Sequence, residues 1–175
     1  MILDSLLFFS GASGNTDTPT TGTQTATNIL DLGVTSGVPT SANGGGARDI
    51  GIGGDNTLEL LVQVTTAFLS GTSLQAQMAG APDSGAGVPG SYTTMWTGPA
   101  VLLTNLTAGA YLANVDVPRV IPGQVLPRFL RLQYISVGTF TAGAVEAGIV
   151  LDQFLQPEGT GGALSGYPAG VTVSN

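Results

Sequence analysis

The chain has 175 residues, 42% of them hydrophobic and only 9% charged, against about 25% charged in an ordinary soluble domain. That length suits one domain with one full core. Four arginines and eleven acids give a net charge of -7, and His, Cys and Lys are absent.

These absences exclude a Ser-His-Asp triad, a cysteine nucleophile, a Cys/His zinc site, a Schiff-base lysine and a P-loop lysine. Four cations in an acidic chain are too few to neutralise a phosphate backbone, so no nucleic-acid partner is expected. Without cysteine there is no disulfide scaffold, and stability must come from the core. A surface of Thr, Ser, Asn, Gln and Gly suits a protein packed against neighbours, and equally a neutral polar domain.

In chain order, MILDSLLFF is apolar but holds Asp4 and lacks a basic start, so it reads as mature sequence rather than a signal peptide. SGASGNTDTPTTGTQTAT follows, rich in Gly, Thr and Ser and without apolar periodicity. The expectation is an extended arm over residues 1–27 and a single β domain over 28–175. Gly44 to Gly46 add a second flexible point. GIGGDN, from Gly51 to Asn56, precedes an alternating run instead of a helix, so a turn is expected there and not a phosphate loop. Asp49, Asp55 and Glu59 lack the spacing of a calcium loop.

Two-residue alternation then takes over. In LELLVQVTTAF, Leu58, Leu60, Val62 and Val64 share one face, while Leu61 falls on the polar side, where it is expected to meet a loop. After Ser70 and Gly71, Leu74, Ala76 and Met78 alternate with Gln75 and Gln77. These two runs around a short glycine turn read as an antiparallel hairpin. The long uncharged run from Asp83 to Asp116 is punctuated by Gly, Pro, Thr and Asn, so no membrane span is expected. YLANVDV sets Tyr111, Ala113, Val115 and Val117 against Leu112, Asn114 and Asp116, and Pro118, Pro122 and Pro127 bound a loop. RFLRLQYISV and AVEAGIVLDQF then form a second apparent hairpin, with Leu130, Leu132 and Tyr134 on one face and Val145, Ala147, Ile149 and Leu151 on the corresponding one. No 3.6-residue stripe bounded by caps occurs. The expected fold is all-β: an antiparallel jelly roll or sandwich of about eight strands with an extended N-terminal arm.

Little chemistry remains. Asp116, Glu146 and Asp152 lie on predicted strands and would need to converge to act as a carboxylate pair; outward strand positions are their ordinary use. Neither an enzymatic activity nor a cofactor is expected. Tyr92 and Trp96 in SYTTMWTGP offer aromatic surface for a sugar ring, or alternatively for the core. Asn105-Leu106-Thr107 matches the short glycosylation pattern, which recurs by chance.

RFLRLQYISVGTFTAGAVEAGIVLDQ resembles the C-terminal hairpin of tailed-phage capsid cement proteins, the kind found on a Bordetella podophage. The opening MILDSLLFFSG, the Thr/Gly segment, DNTLELLVQV and SYTTMWTGP are similar too, and in the same order. The resemblance implies a jelly roll on the outer capsid surface of the virion, clamping neighbouring copies of the major capsid protein. No catalytic residue comes with it. A homo-oligomer, with a dimer favoured, is expected; a carbohydrate-binding jelly roll is the alternative. Candidate contact residues are Met1, Ile2, Leu3, Leu6, Leu7, Phe8 and Phe9, as a segment that orders on contact, with Arg128 and Arg131 as cations for partner carboxylates. The competing use of those arginines is an internal pair with Glu146 or Asp152 across the hairpin.

Overall fold

Alternating apolar residues build nine strands in the computed structural model, which describes residues 7–11, 16–33, 58–118 and 127–151. They are β1 (Phe8–Ser10), β2 (Gly22–Asp31), β3 (Leu58–Ser70), β4 (Ser73–Ala81), β5 (Thr93–Thr97), β6 (Val101–Leu102), β7 (Tyr111–Asp116), β8 (Phe129–Val137) and β9 (Phe140–Leu151). One sheet runs β1-β9-β3-β7; the other runs β2-β8-β4-β5, with the two-residue β6 added to β4. All strand pairs are antiparallel. This order is that of a jelly roll, and the all-β expectation holds.

The predicted core faces of β3, β4, β8 and β9 are the observed ones. Leu60, Val62, Leu74, Ala76, Met78, Leu132 and Val145 are fully enclosed between the sheets, with Leu130, Tyr134, Ala147 and Ile149 beside them. Each large aliphatic side chain buried in this way contributes roughly 1.5–3 kcal/mol.

Both expected hairpins are wrong in their partners. β3 does not pair with β4, nor β8 with β9. Instead β3 pairs with β9 from Leu58↔Leu151 to Ser70↔Phe140, and β4 pairs with β8 from Ser73↔Val137 to Ala81↔Phe129. Residues 58–81 and 129–151 thus form one antiparallel ribbon that bends from one sheet into the other. The short turns that suggested hairpins are the bends. Ser70 and Gly71 take φ of 63° and 72°, and Gly138 takes 79°, the left-handed region that carries the chain sharply round. The bends lie against each other: the Thr72 N–H donates to the Val137 carbonyl at 2.8 Å. A Cβ on Gly138 would stand 3.0 Å from the Gly71 Cα.

Tyr111 also departs from its predicted inward face and is exposed. The register slips between Val62↔Ala113 and Gln63↔Tyr111, and this irregularity buries Leu112 instead.

Residues 8–10 and 22–27, expected within an extended arm, are strand in the chain's own two sheets. Phe9 is fully buried, and Leu7 packs on the core from a half-buried position. The physical reason is polar as well as apolar. Ser10 Oγ donates to the Asp17 carboxylate, so its single proton is committed. The Tyr134 hydroxyl, 2.7 Å away, must then donate to Ser10. Thr27 completes the set, its hydroxyl donating to Asp17 and its backbone N–H donating at 2.9 Å. Burial raises the Tyr134 hydroxyl pKa, which keeps it protonated as that donor. β1, β2 and β8 are therefore tied together across the edge between the sheets.

Two variants test these points by thermal or urea melting. Gly138→Ala must force a side chain into the paired bends at positive φ, and a loss of about 1–3 kcal/mol is expected. Tyr134→Phe strips Ser10 of its donor inside the fold, and the expected loss is also roughly 1–3 kcal/mol. Wild-type melting curves would show that the bend, or the polar tie, is slack.

Candidate functional site

The two arginines singled out by sequence do different work. Arg128 precedes β8, and its Nε and Nη2 donate to the two carboxylate oxygens of Asp31 at 2.8 and 2.9 Å. Its Nη1 reaches Asp83 at 2.5 Å, and the guanidinium lies 5.0 Å from the centre of the Phe129 ring. The expected cross-hairpin pair with Glu146 does not form, because β8 and β9 lie in different sheets. Asp152 lies outside the described residues. Arg128 instead joins the end of β2 to the loop after β4. The Asp31 hydrogen bonds, with Asp83 adding to them, push its pKa further up.

Asp83 is held below the ordinary carboxylate value of 3.8, first by the Gly85 N–H. Partial burial opposes this, and Arg128 and the Gly87 N–H add to the lowering. The loop from Pro82 to Ser91 is thus folded around one carboxylate.

Arg131 sits on β8 with its guanidinium carbon 3.9 Å from the centre of the Tyr92 ring. It has no carboxylate partner among the described residues. Its Nε and the Tyr92 hydroxyl are buried without a hydrogen bond. Desolvation raises the Tyr92 pKa, and the charge of Arg131 opposes the rise. Trp96 turns toward the core rather than presenting an open stacking surface, and Gly98 packs against its ring. The aromatic pair proposed for a sugar is therefore divided between the core and an arginine stack.

Paired residues share a face, so the register shows what each sheet presents outward. On the sheet containing β8, one row is Thr25, Gln133, Gln77 and Thr97; the next is Thr23, Ile135 and Gln75. Val137 and Leu102, each paired with the buried Ser73, extend the surface at the bend, and Ile29 flanks Arg131. Gln77 donates to Thr97 at 3.0 Å and Gln75 to the Gly98 carbonyl at 2.7 Å, which holds both amides flat along the strands. Ile29, Leu102 and Val137 are exposed. No carboxylate stands in these rows.

The opposite sheet is acidic outward. Glu59 pairs with Asp116, and Gln63 with Glu146, across the neighbouring strands. Between them lies a shallow recess lined by Phe8, Leu61, Gln63, Glu146, Gly148 and Val150. Leu61 thus meets β1 rather than a loop. Asp116 and Glu146 attach to opposite sides of β3 and four residues apart along it. Strand geometry of about 3.3 Å per residue and 4.8 Å per strand separates them well beyond the roughly 5–9.5 Å of a glycosidase pair.

Met1, Ile2, Leu3 and Leu6 lie outside the described residues, as do Asp49 and Asp55. Of the candidate contact residues, Leu7, Phe8 and Phe9 are placed with β1, and the two arginines stand at the start of β8. Sequence reasoning missed the neutral outward face as a unit. Its residues come from five strands, and only the register aligns them.

Fold and site together define a small jelly-roll domain with one neutral outward face and one acidic outward face. The chain belongs to the Bbp16 family, a Bordetella phage protein family, which it matches over residues 16–149. It is a phage-associated protein, and the matched span runs from just before β2 into β9. No curated protein matches the sequence.

The depressed Asp83 pKa predicts a pH dependence. A carboxyl with a lowered folded pKa contributes stability above its unfolded value, and that contribution is lost as pH falls through the folded one. Wild type should therefore lose melting temperature below pH 3.8. Asp83→Asn should melt lower at neutral pH and show a shallower acid loss; parallel curves for the two proteins would remove Asp83 from the account.

Proposed function

We propose that the chain is a capsid cement protein, bound to the outer surface of a tailed-phage capsid and clamping neighbouring copies of the major capsid protein. The observation that carries this reading is membership of the Bbp16 family across nearly the whole jelly roll. The structure adds a physical rationale. A ribbon bent through both sheets and tied across one edge is a stiff block, suited to transmit load between two attachment points. Its most regular outward surface is neutral and made for contact.

Packaged DNA pushes a shell outward, and subunit boundaries are where the shell yields. A protein that binds only the assembled state stabilises it by mass action, and many weak attachments sum across one particle. Association of the chain with itself, as a dimer, would double the attachment points per unit. The role requires no catalysis and no cofactor.

The test is particle composition together with particle strength. Purified virions should carry the chain in stoichiometric, ordered copies, and shells lacking it should release DNA at a lower temperature. Adding the purified chain should restore the higher temperature. Virions without the chain, or release temperatures indifferent to it, would remove the cement reading.

A further inference from the structure

We propose that the outward face of the β2-β8-β4-β5 sheet is the surface that docks on the shell, with Arg131 receiving a carboxylate from the shell protein. The proposal deepens the cement reading and rests on it.

Three observations converge on this face. The first is charge placement. The chain carries a net charge of -7, yet of its described carboxylates only Asp31 lies on this face, at the end of β2 one row beyond Ile29, and Arg128 neutralises it. Asp31 and Asp83 hold Arg128, and Asp17 holds the polar tie. Glu59, Asp116 and Glu146 belong to the opposite sheet. Covering a carboxylate without a partner is costly, whereas covering Thr, Gln and aliphatic groups costs little. The neutral face is thus the one whose desolvation penalty is lowest.

The second is apolar content. Ile29, Leu102 and Val137 are large hydrophobic residues left exposed, and register puts them around the same rows as Ile135. They supply area worth removing from water, at about 25 cal/mol per Å².

The third is Arg131 itself. The Tyr92 ring beneath its guanidinium sets its orientation before any partner arrives, so little rotamer freedom remains to be lost on binding. Its Nε is buried in the fold, so the terminal Nη groups are the donors it can offer to a partner. A carboxylate presented by a protein surface answers both the charge and the planar donor geometry. The rival surface, the recess beside Phe8, carries Glu146 and lies on the acidic sheet.

The experiment adds purified chain to shells of the encoding phage that lack it and measures bound chain by sedimentation across a salt series. Gln133→Glu and Arg131→Glu alter the proposed face, Asp116→Arg alters the opposite one, and a melting curve is recorded for each. The expected result is a loss of apparent affinity of about ten-fold or more for the first two, with Asp116→Arg behaving as wild type. Gln133→Glu changes a half-exposed side chain outside the core, so it keeps the test valid should Arg131→Glu fail to fold. Coating by both face variants at the wild-type level would overturn the docking surface, as would an equal loss from Asp116→Arg. A wild-type chain that does not coat shells at all would sink the cement reading itself. Saturable binding to a glycan array, abolished by Arg131→Glu, would replace the protein carboxylate with a sugar.

Discussion

The shared bend at Ser70–Ser73 and Val137–Phe140 is the constraint on which the other elements depend. Two strands paired along their whole length can turn a corner only if both turn at the same place. Gly71 and Gly138 meet that condition, since the approach of one backbone to the other leaves no room for a Cβ at Gly138. Once the ribbon is folded, the outer strands have their places. β1 and β2 flank β9 and β8 on one side, and β7 and β5 flank β3 and β4 on the other. The jelly roll is in effect one four-stranded sheet folded over, so the two halves of each bent strand supply opposite walls of the same core.

Folding a sheet in this way leaves open edges, and an unpaired edge is a template for association with other chains. On the β2 side the protein manages its edge with polar groups. Asp17 accepts the Thr27 N–H, and the Asn28 amide donates to the Phe8 carbonyl at 3.3 Å. The same carboxylate, through Ser10, reaches the buried Tyr134 hydroxyl. One acid therefore blunts an edge and binds three strands. The half-buried carboxylate takes its donors from β1 and β2, and β8 joins through Ser10, so the polar groups of this edge are satisfied, which is the condition under which they stabilise a fold.

How much of this was legible in the sequence follows from what a period of two can say. Alternation reports which side chains face the core, and Leu60, Val62, Leu74, Leu132 and Val145 were all assigned correctly from it. It says nothing about which strand lies alongside. A short glycine turn between alternating runs fits a hairpin and a corner equally well; the difference lies in long-range pairing, which local residues do not encode. The Thr/Gly segment failed for a related reason. Thr23, Thr25 and Thr27 alternate without an apolar partner strong enough to register, because Ala26 and Leu30 are the only core residues β2 contributes. Arg128 was read as a possible hairpin partner, yet its carboxylates come from the end of β2 and from the loop after β4. Only the closed fold brings those together.

The same closure explains why two arginines three residues apart serve different ends. Arg128 lies just before β8 and outside its alternation, so its side chain is free to bridge Asp31 and Asp83. That bridge fixes the end of β2 relative to the loop leading to Tyr92. Tyr92 in turn supports the guanidinium of Arg131. An internal ion pair at one position therefore sets the platform on which the other cation is displayed. In a chain with so few charges, removing Arg128 would affect more than local stability: it would release the loop that aims Arg131. The neutral face and the oriented cation on it follow from the same economy of charge. Rigidity is what this composition and topology together provide.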